Sequence, residues 1–293
     1  MIDLHTHTGD GGARQKLETL LQRAEEKKLT HLAISDHEGV GAYPKLKDPV
    51  IRGLFSGHII PAVELRFINQ GVRNEMLGYG IDTDKMAQSK LISRENLLRG
   101  ELIELEQYHK LFADLGLEVT DLDELRRQMI TLEQSGADHE TIRRVTGTDF
   151  FSDRNQAIRE KLLKPYNGSF KIYATEKLKI DWSYQPTMEE VSDEIRNAGG
   201  FAFMAHPARV AKYSGDDAMV RMLDYGTSKG LLDGVEVYRP DASPKQIAFL
   251  RDYGRRHKLL IGAGSDSSKE KEPLLDGIGK EHVGNWIDDV QRI

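Results

Sequence analysis

Residues 1–12 read MIDLHTHTGDGG, and the pair His5 and His7 in this short run decides how the rest of the chain is read. Alternate residues of a strand share a face, so His5 and His7 project together while Leu4 and Thr6 turn the other way. Two imidazoles on one face can meet one metal ion, but an isolated H-x-H pair also arises by chance. Later stretches supply company for these histidines. "HLAISDH" places Asp36 and His37 after an apolar run, "IIPAVE" ends in Glu64, "FAFMAH" in His206 and "LLIGAGSD" in Asp266. In α/β barrels the working groups collect at the C-terminal ends of the strands. Burying so many polar groups without partners is costly, so one shared metal cluster explains them together.

Around these stretches, apolar runs alternate with helical segments, the pattern of a parallel α/β fold. In "RQKLETLLQRAEEKKL", Leu17, Leu20, Leu21 and Ala24 recur at helical spacing and predict an amphipathic helix laid on a sheet. Thr187 and Glu190 predict a capping box for a second helix, and Ser243 followed by Pro244 the start of a third. From residue 83 to 186 the chain becomes rich in charge and helix formers, a mainly helical insertion between barrel segments 1–82 and 187–293.

Composition narrows the chemistry. With 39% hydrophobic and 30% charged residues over 293 positions, the chain is of the globular class and long enough for a sizeable core. A net charge of −6 gives no general attraction to phosphate, so stable binding of duplex nucleic acid is not expected. No apolar run reaches the roughly 18 residues of a membrane span, and the start is not a basic segment followed by an apolar one. A cytoplasmic protein with no membrane partner is the expectation. The chain has no cysteine, which leaves His, Asp and Glu to hold any metal, a donor set that suits Mn, Zn or Fe.

The stretches "DLHTHT", "ISDH", "PAVEL", "LGYGID", "MAHP" and "GSD" occur in the order typical of the PHP (polymerase and histidinol phosphatase) family of metal-dependent phosphoesterases, which the chain resembles over roughly residues 1–82 and 187–270. The resemblance implies an α/β fold, a distorted seven-stranded (β/α) barrel, with two or three divalent ions at its strand ends. It implies that His5, His7, Glu64 and Asp266 hold one ion and that Glu64 bridges to a second, which His206 also binds. Asp10 and His37 then belong to a third. The implied activity is hydrolysis of a phosphate ester by a metal-activated hydroxide, with Glu64, His206 and Asp266 as the catalytic set. Arg209, three residues after His206, either grips a substrate phosphate or joins a structural ion pair. Glu236 in "GVEVY" is a candidate to orient a ligand.

Three positions depart from the family pattern. Glu75 stands where the family carries the histidine of H-x-L-G; as a ligand it favours harder ions such as Mn or Mg. Ser268 replaces the histidine of G-S-D-x-H, and Asp10 arrives two residues early after H-x-H, so the third site is the weak one. The substrates implied are a small phosphorylated metabolite, a nucleotide or a short oligonucleotide. Histidinol phosphate, or a degenerate barrel kept for binding or regulation, are the alternatives. The long insertion after "LGYGID" resembles that of the nucleotide- and oligonucleotide-directed members. Within it "IRRVTGTDFFSDR" is basic and aromatic, read either as a solvated helical face or as a segment that covers a site or reads a substrate. His31, His58, His109, His139, His257 and His282 are given no role.

Overall fold

Seven strands form one sheet in chain order: β1 (Ile2–Thr6), β2 (His31–Ile34), β3 (His58–Asn69), β4 (Val72–Tyr79), β5 (Phe201–Met204), β6 (Gly234–Tyr238) and β7 (Leu260–Ala263). The coordinates are those of a computed structural model that describes residues 1–137 and 139–290; residues 291–293, the end of the expected barrel segment, lie outside the described residues. The first three strands run parallel, as do the last three. β4 is antiparallel to both of its neighbours.

The reversal at β4 departs from the wholly parallel pattern and has a local cause. Gln70 and Gly71, at φ 49° and 77°, join β3 to β4 in a two-residue turn whose positive φ values match strand twist. A turn this short can join only antiparallel strands, because parallel ones need a crossover of about a dozen residues. The early part of β4 therefore lies beside the late part of β3, with Glu75 opposite Arg66 and Leu77 opposite Glu64.

Apolar side chains fill both faces of the sheet. Ile60 and Ala62 of β3 pack inside with Leu77, Tyr79 and Phe203, whereas Ile59 and Val63 face outward to a second core. This period of two along one strand is that of a sheet covered on both sides. The outer core is completed by Leu17, Leu20 and Leu21 of the helix Leu17–Glu26 and by Val191 and Ile195 of the helix Met188–Asn197. Both expected caps form: Thr187 with Glu190, and Ser243 with Gln246. Inside, the Phe203 ring lies edge-on to Tyr79 at 4.9 Å and 4.8 Å from Trp286. Gly234 is required beside it, since a Cβ there would fall 2.3 Å from the ring. Trp286 is fixed in turn by its indole N–H, which donates to Ile261 O at 3.0 Å.

Beyond β7 the chain returns to β1. Asp266 N donates to His5 O at 2.7 Å, His7 N donates to Ser267 O at 3.0 Å, and Thr6 bridges Ser267 in parallel. These bonds join the last strand's continuation to the first strand at the C-terminal rim, giving the sheet its barrel form.

Residues 93–185 form a separate compact unit. Its longest helices are Arg94–Asp114 and Leu122–Gln134, and it has apolar clusters of its own, one around Phe112 and Phe150 and one around Leu105 and Met129. Among the described residues no helix is long and apolar enough to cross a membrane.

Phe203→Ala is expected to lower the free energy of unfolding by about 3–5 kcal/mol, because the tightly packed interior cannot close over the lost ring. Thr187→Ala should remove only about 1 kcal/mol. Urea denaturation of the two variants distinguishes these magnitudes; equal, small effects would mean that the ring does not organise the interior.

Candidate metal centre

The inward series Ile60, Ala62 along β3 continues to Glu64, which the strand carries to the rim. There its carboxylate meets histidines from three other places in the chain. Oε1 lies 3.2 Å from His5 Nε2 and 2.9 Å from His206 Nε2. Oε2 lies 2.9 Å from His37 Nδ1 and 3.5 Å from His7 Nε2. Asp266 approaches from the β7 side, 3.0 Å from His7 Nε2 and 3.6 Å from His5 Nε2. Glu75 reaches the same place because β4 is reversed, so that a residue early in a strand stands at the rim where the others stand late. Its Oε2 is 3.1 Å from His206 Nε2.

These contacts resolve into two donor groups that share Glu64. His5, His7, Glu64 and Asp266 offer ligand atoms all within 4.8 Å of one another, and so do His37, Glu64 and Glu75. His206 lies against both carboxylates of the second group.

A further layer of charge fixes the ligands. Glu236, fully buried on β6, accepts from His5 Nδ1 at 3.0 Å and from the backbone N–H of His206 at 2.8 Å. The first bond puts the proton on Nδ1 and turns Nε2 toward Glu64 and Asp266. Arg239, also buried, donates to Glu236 at 3.0 Å, Asp241 at 2.9 Å and Asp266 at 3.3 Å, tying the carboxylate that orients His5 to one of the donor carboxylates. Gly264 leaves room for the assembly: a Cβ there would lie 2.1 Å from His5 Cβ. His206 and Asp266 have φ of 30° and 57°, a region that L-residues adopt at a cost and that recurs at functional sites.

Asp36 serves the loop rather than the donor groups. Its two oxygens accept from the Thr8 backbone N–H and hydroxyl at 2.5 and 2.6 Å, which anchors the chain immediately after His7. Burial raises the Asp36 pKa to about 7, against the lowering effect of those two bonds.

The electrostatics fit a divalent cation. Burial alone disfavours charge on His5, yet the carboxylates of Glu64, Glu236 and Asp266 raise its pKa well above the usual imidazole value. Glu75 is pushed down to about 2: burial and the Glu64 charge oppose its ionisation, and the His206 hydrogen bond and charge outweigh them. Convergent buried carboxylates thus demand positive charge. His5 Nε2, His7 Nδ1 and His206 Nδ1 are buried without a hydrogen-bond partner. A site with imidazole nitrogens and carboxylate oxygens, and no sulfur, is a donor set for Mn, Zn or Fe.

The remaining candidates lie as follows. Asp10 is outside both donor groups, with its carboxylate 2.6 Å from Lys45 Nζ, whereas His37 stands with Glu64 and Glu75. The Ser268 hydroxyl and backbone N–H both donate to Glu272, at 3.2 and 2.9 Å. Arg209, with its side chain 29% exposed, pairs with Asp266 at 2.7 Å and Asp241 at 3.4 Å. Of the histidines given no role, His109 bonds Thr120 O, His139 pairs with Glu101, and His257 stacks on Tyr253. Sequence reasoning passed over Arg239, although it follows an apolar strand end just as the ligands do.

No protein-family profile matches the chain. Two solved structures share its fold. An amidohydrolase of Chromobacterium violaceum, determined with sulfate and no metal, has a TM-score of 0.65 and 20% identity, covering 94% of this chain and 91% of its own. A protein of Bifidobacterium adolescentis assigned to the metal-dependent phosphoesterases gives 0.59 and 22%, covering 94% and 90%. Five of the six motifs supply residues to one pair of donor groups and the adjoining His206, and the sixth, "LGYGID", follows Glu75. The chain has the fold of these two structures. By sequence, the chain aligns with the 5′-3′ exoribonuclease Rnm of Salmonella typhimurium at 26% identity over 272 residues, 91% of this chain and 84% of the relative. The Escherichia coli Rnm aligns at 25% over 269 residues, with the same coverage.

Glu236→Gln should weaken retention of divalent metal by about 10–100-fold, the usual effect of losing a ligand's orienting partner. Competition with a chromophoric chelator measures this. Unchanged retention would remove Glu236 from the support of the site.

Proposed function

We propose that the PHP-type barrel hydrolyses phosphoesters with divalent ions held by His5, His7, Glu64 and Asp266 and by His37, Glu64, Glu75 and His206. The observation that carries the reading is the shared carboxylate of Glu64, which belongs to both donor groups. Divalent ions in such a site polarise phosphoryl oxygens and lower the pKa of water. The protein residues do the rest. Glu236 and Arg239 hold the ligands in register, Asp36 fixes the loop that carries His7, and the buried walls limit competing water. Arg209, partly exposed beside Asp266, offers a planar set of N–H donors suited to a substrate phosphate.

The substrate we assign is single-stranded RNA or a short oligoribonucleotide, cleaved from its 5′ end. Support comes from the two exoribonuclease relatives, whose similarity extends over 91% of the chain. The metal we assign first is Mn, because Glu75 adds an oxygen ligand and a negative charge.

With Mn supplied, a 5′-phosphorylated oligoribonucleotide should be shortened from its 5′ end, and EDTA should abolish the reaction. Glu64→Ala is expected to reduce the rate more than about a hundredfold, beyond what loss of an outer partner does. Turnover that survives EDTA or Glu64→Ala would contradict the metal chemistry. Turnover of histidinol phosphate, with RNA left intact, would contradict the substrate.

A further inference from the structure

The helical unit carries a feature that the proposed chemistry leaves unused. Phe151, the last residue of the short helix Thr148–Phe151, is 58% exposed. The only other exposed aromatic side chain among the described residues is Phe201, at 38%. A single exposed aromatic is ordinary on a protein surface. Phe151 differs in how it is held and in what surrounds it.

Its ring meets Phe150 at 5.2 Å and Phe170 at 5.6 Å, both edge contacts, with interplanar angles of 77° and 73°. Neither neighbour stacks on it. Phe150 is fully buried and packs in turn on Phe112 at 5.2 Å, so the exposed ring stands on a rigid aromatic base. Gly147 lies close beneath, where a Cβ would come within 3.2 Å of the ring.

Charge is distributed unevenly along the sequence of this unit. Residues 93–142 carry five Lys and Arg against twelve Asp and Glu, whereas residues 143–170 carry six against three. One of those three, Asp149, is buried and paired with Arg154, one of the six, so these two charges offset each other. One guanidinium nitrogen of Arg159 donates to the backbone carbonyls of Phe150 and Ser152, the residues on either side of Phe151 in the chain, at 2.8 and 2.9 Å. Its acceptors there are neutral, so the positive charge is retained. A chain of net charge −6 thus carries a local cationic segment, and that segment presents the exposed ring.

We infer that Phe151 is a stacking platform for a base of single-stranded RNA, with Arg159 and the neighbouring cations facing its phosphates. Stacking on one aromatic ring tolerates every base, and cations beside it track the backbone, the combination used by proteins that bind single strands without reading sequence. The inference rests on the reading of the protein as an RNA-directed hydrolase and adds a contact within the helical unit.

The test is binding of a fluorescein-labelled, phosphorothioate-linked octauridylate to the full-length, Mn-loaded protein, followed by anisotropy at fixed salt. Phe151→Ala and Phe151→Leu should each weaken binding about tenfold, and Phe151→Trp should retain it. Leucine keeps the apolar packing on Phe150 and Phe170, so loss of binding in that variant reports the ring. Retention of Mn should be unchanged in all three. If Phe151→Leu binds as the wild type does, or Phe151→Trp binds as weakly as alanine, the inference is overturned. It is also overturned if Phe151→Ala shifts the oligomeric state in sedimentation, since the ring then serves a protein contact. Wild-type protein that binds RNA through Phe151 but cleaves no phosphoester would refute the proposed hydrolysis and leave this contact standing.

Discussion

A carboxylate withdrawn from water must be matched by positive charge, and in this barrel that requirement is concentrated on Glu64. It is 1% exposed, and its two oxygens lie within 3.5 Å of nitrogen atoms from His5, His7, His37 and His206. Burial raises its pKa, but the charges of His5 and His37 hold it well below the usual carboxylate range. Every other feature of the rim can be understood as bringing donors to this group. Return of the chain onto β1 after β7 delivers Asp266, the reversed β4 delivers Glu75, and the buried Glu236 turns His5 toward it. A group with this many buried partners is stable only when all of them are present.

Much of this is legible in the sequence, because two of its causes are local. Period-two alternation in β1 brings His5 and His7 to the same site, with ring centroids 5.1 Å apart, and apolar runs ending in a charged residue mark the rim. The limits of that reading were equally physical. Alternation gives the face of a residue but not the direction of its strand, so the sequence marks Glu75 by its place beside "LGYG" and not by the turn at Gln70 and Gly71 that carries it to the rim. Arg239 works through partners 3 and 27 positions away, and only the folded chain brings these together. The same is true of Asp10: its spacing after His7 drew attention, but its partner is Lys45, 35 residues distant.

Charge offers a second lesson about scale. A net charge of −6 argues against general affinity for phosphate, and it averages over segments of opposite sign. At the rim, cationic Arg239 and Arg209 stand against ligand carboxylates; in the helical unit, a basic stretch follows an acidic one. Charges act over a screening length of about 8 Å at physiological salt, so the local pattern and not the total governs what each surface attracts.

The central claim is that one buried carboxylate joins two groups of metal donors. Crystals grown with Mn and measured on both sides of its absorption edge test it most directly. The account predicts anomalous density among His5, His7, Glu64 and Asp266, with a second peak among His37, Glu64, Glu75 and His206. Absence of anomalous density from both positions, in crystals whose metal content is verified independently, would contradict it.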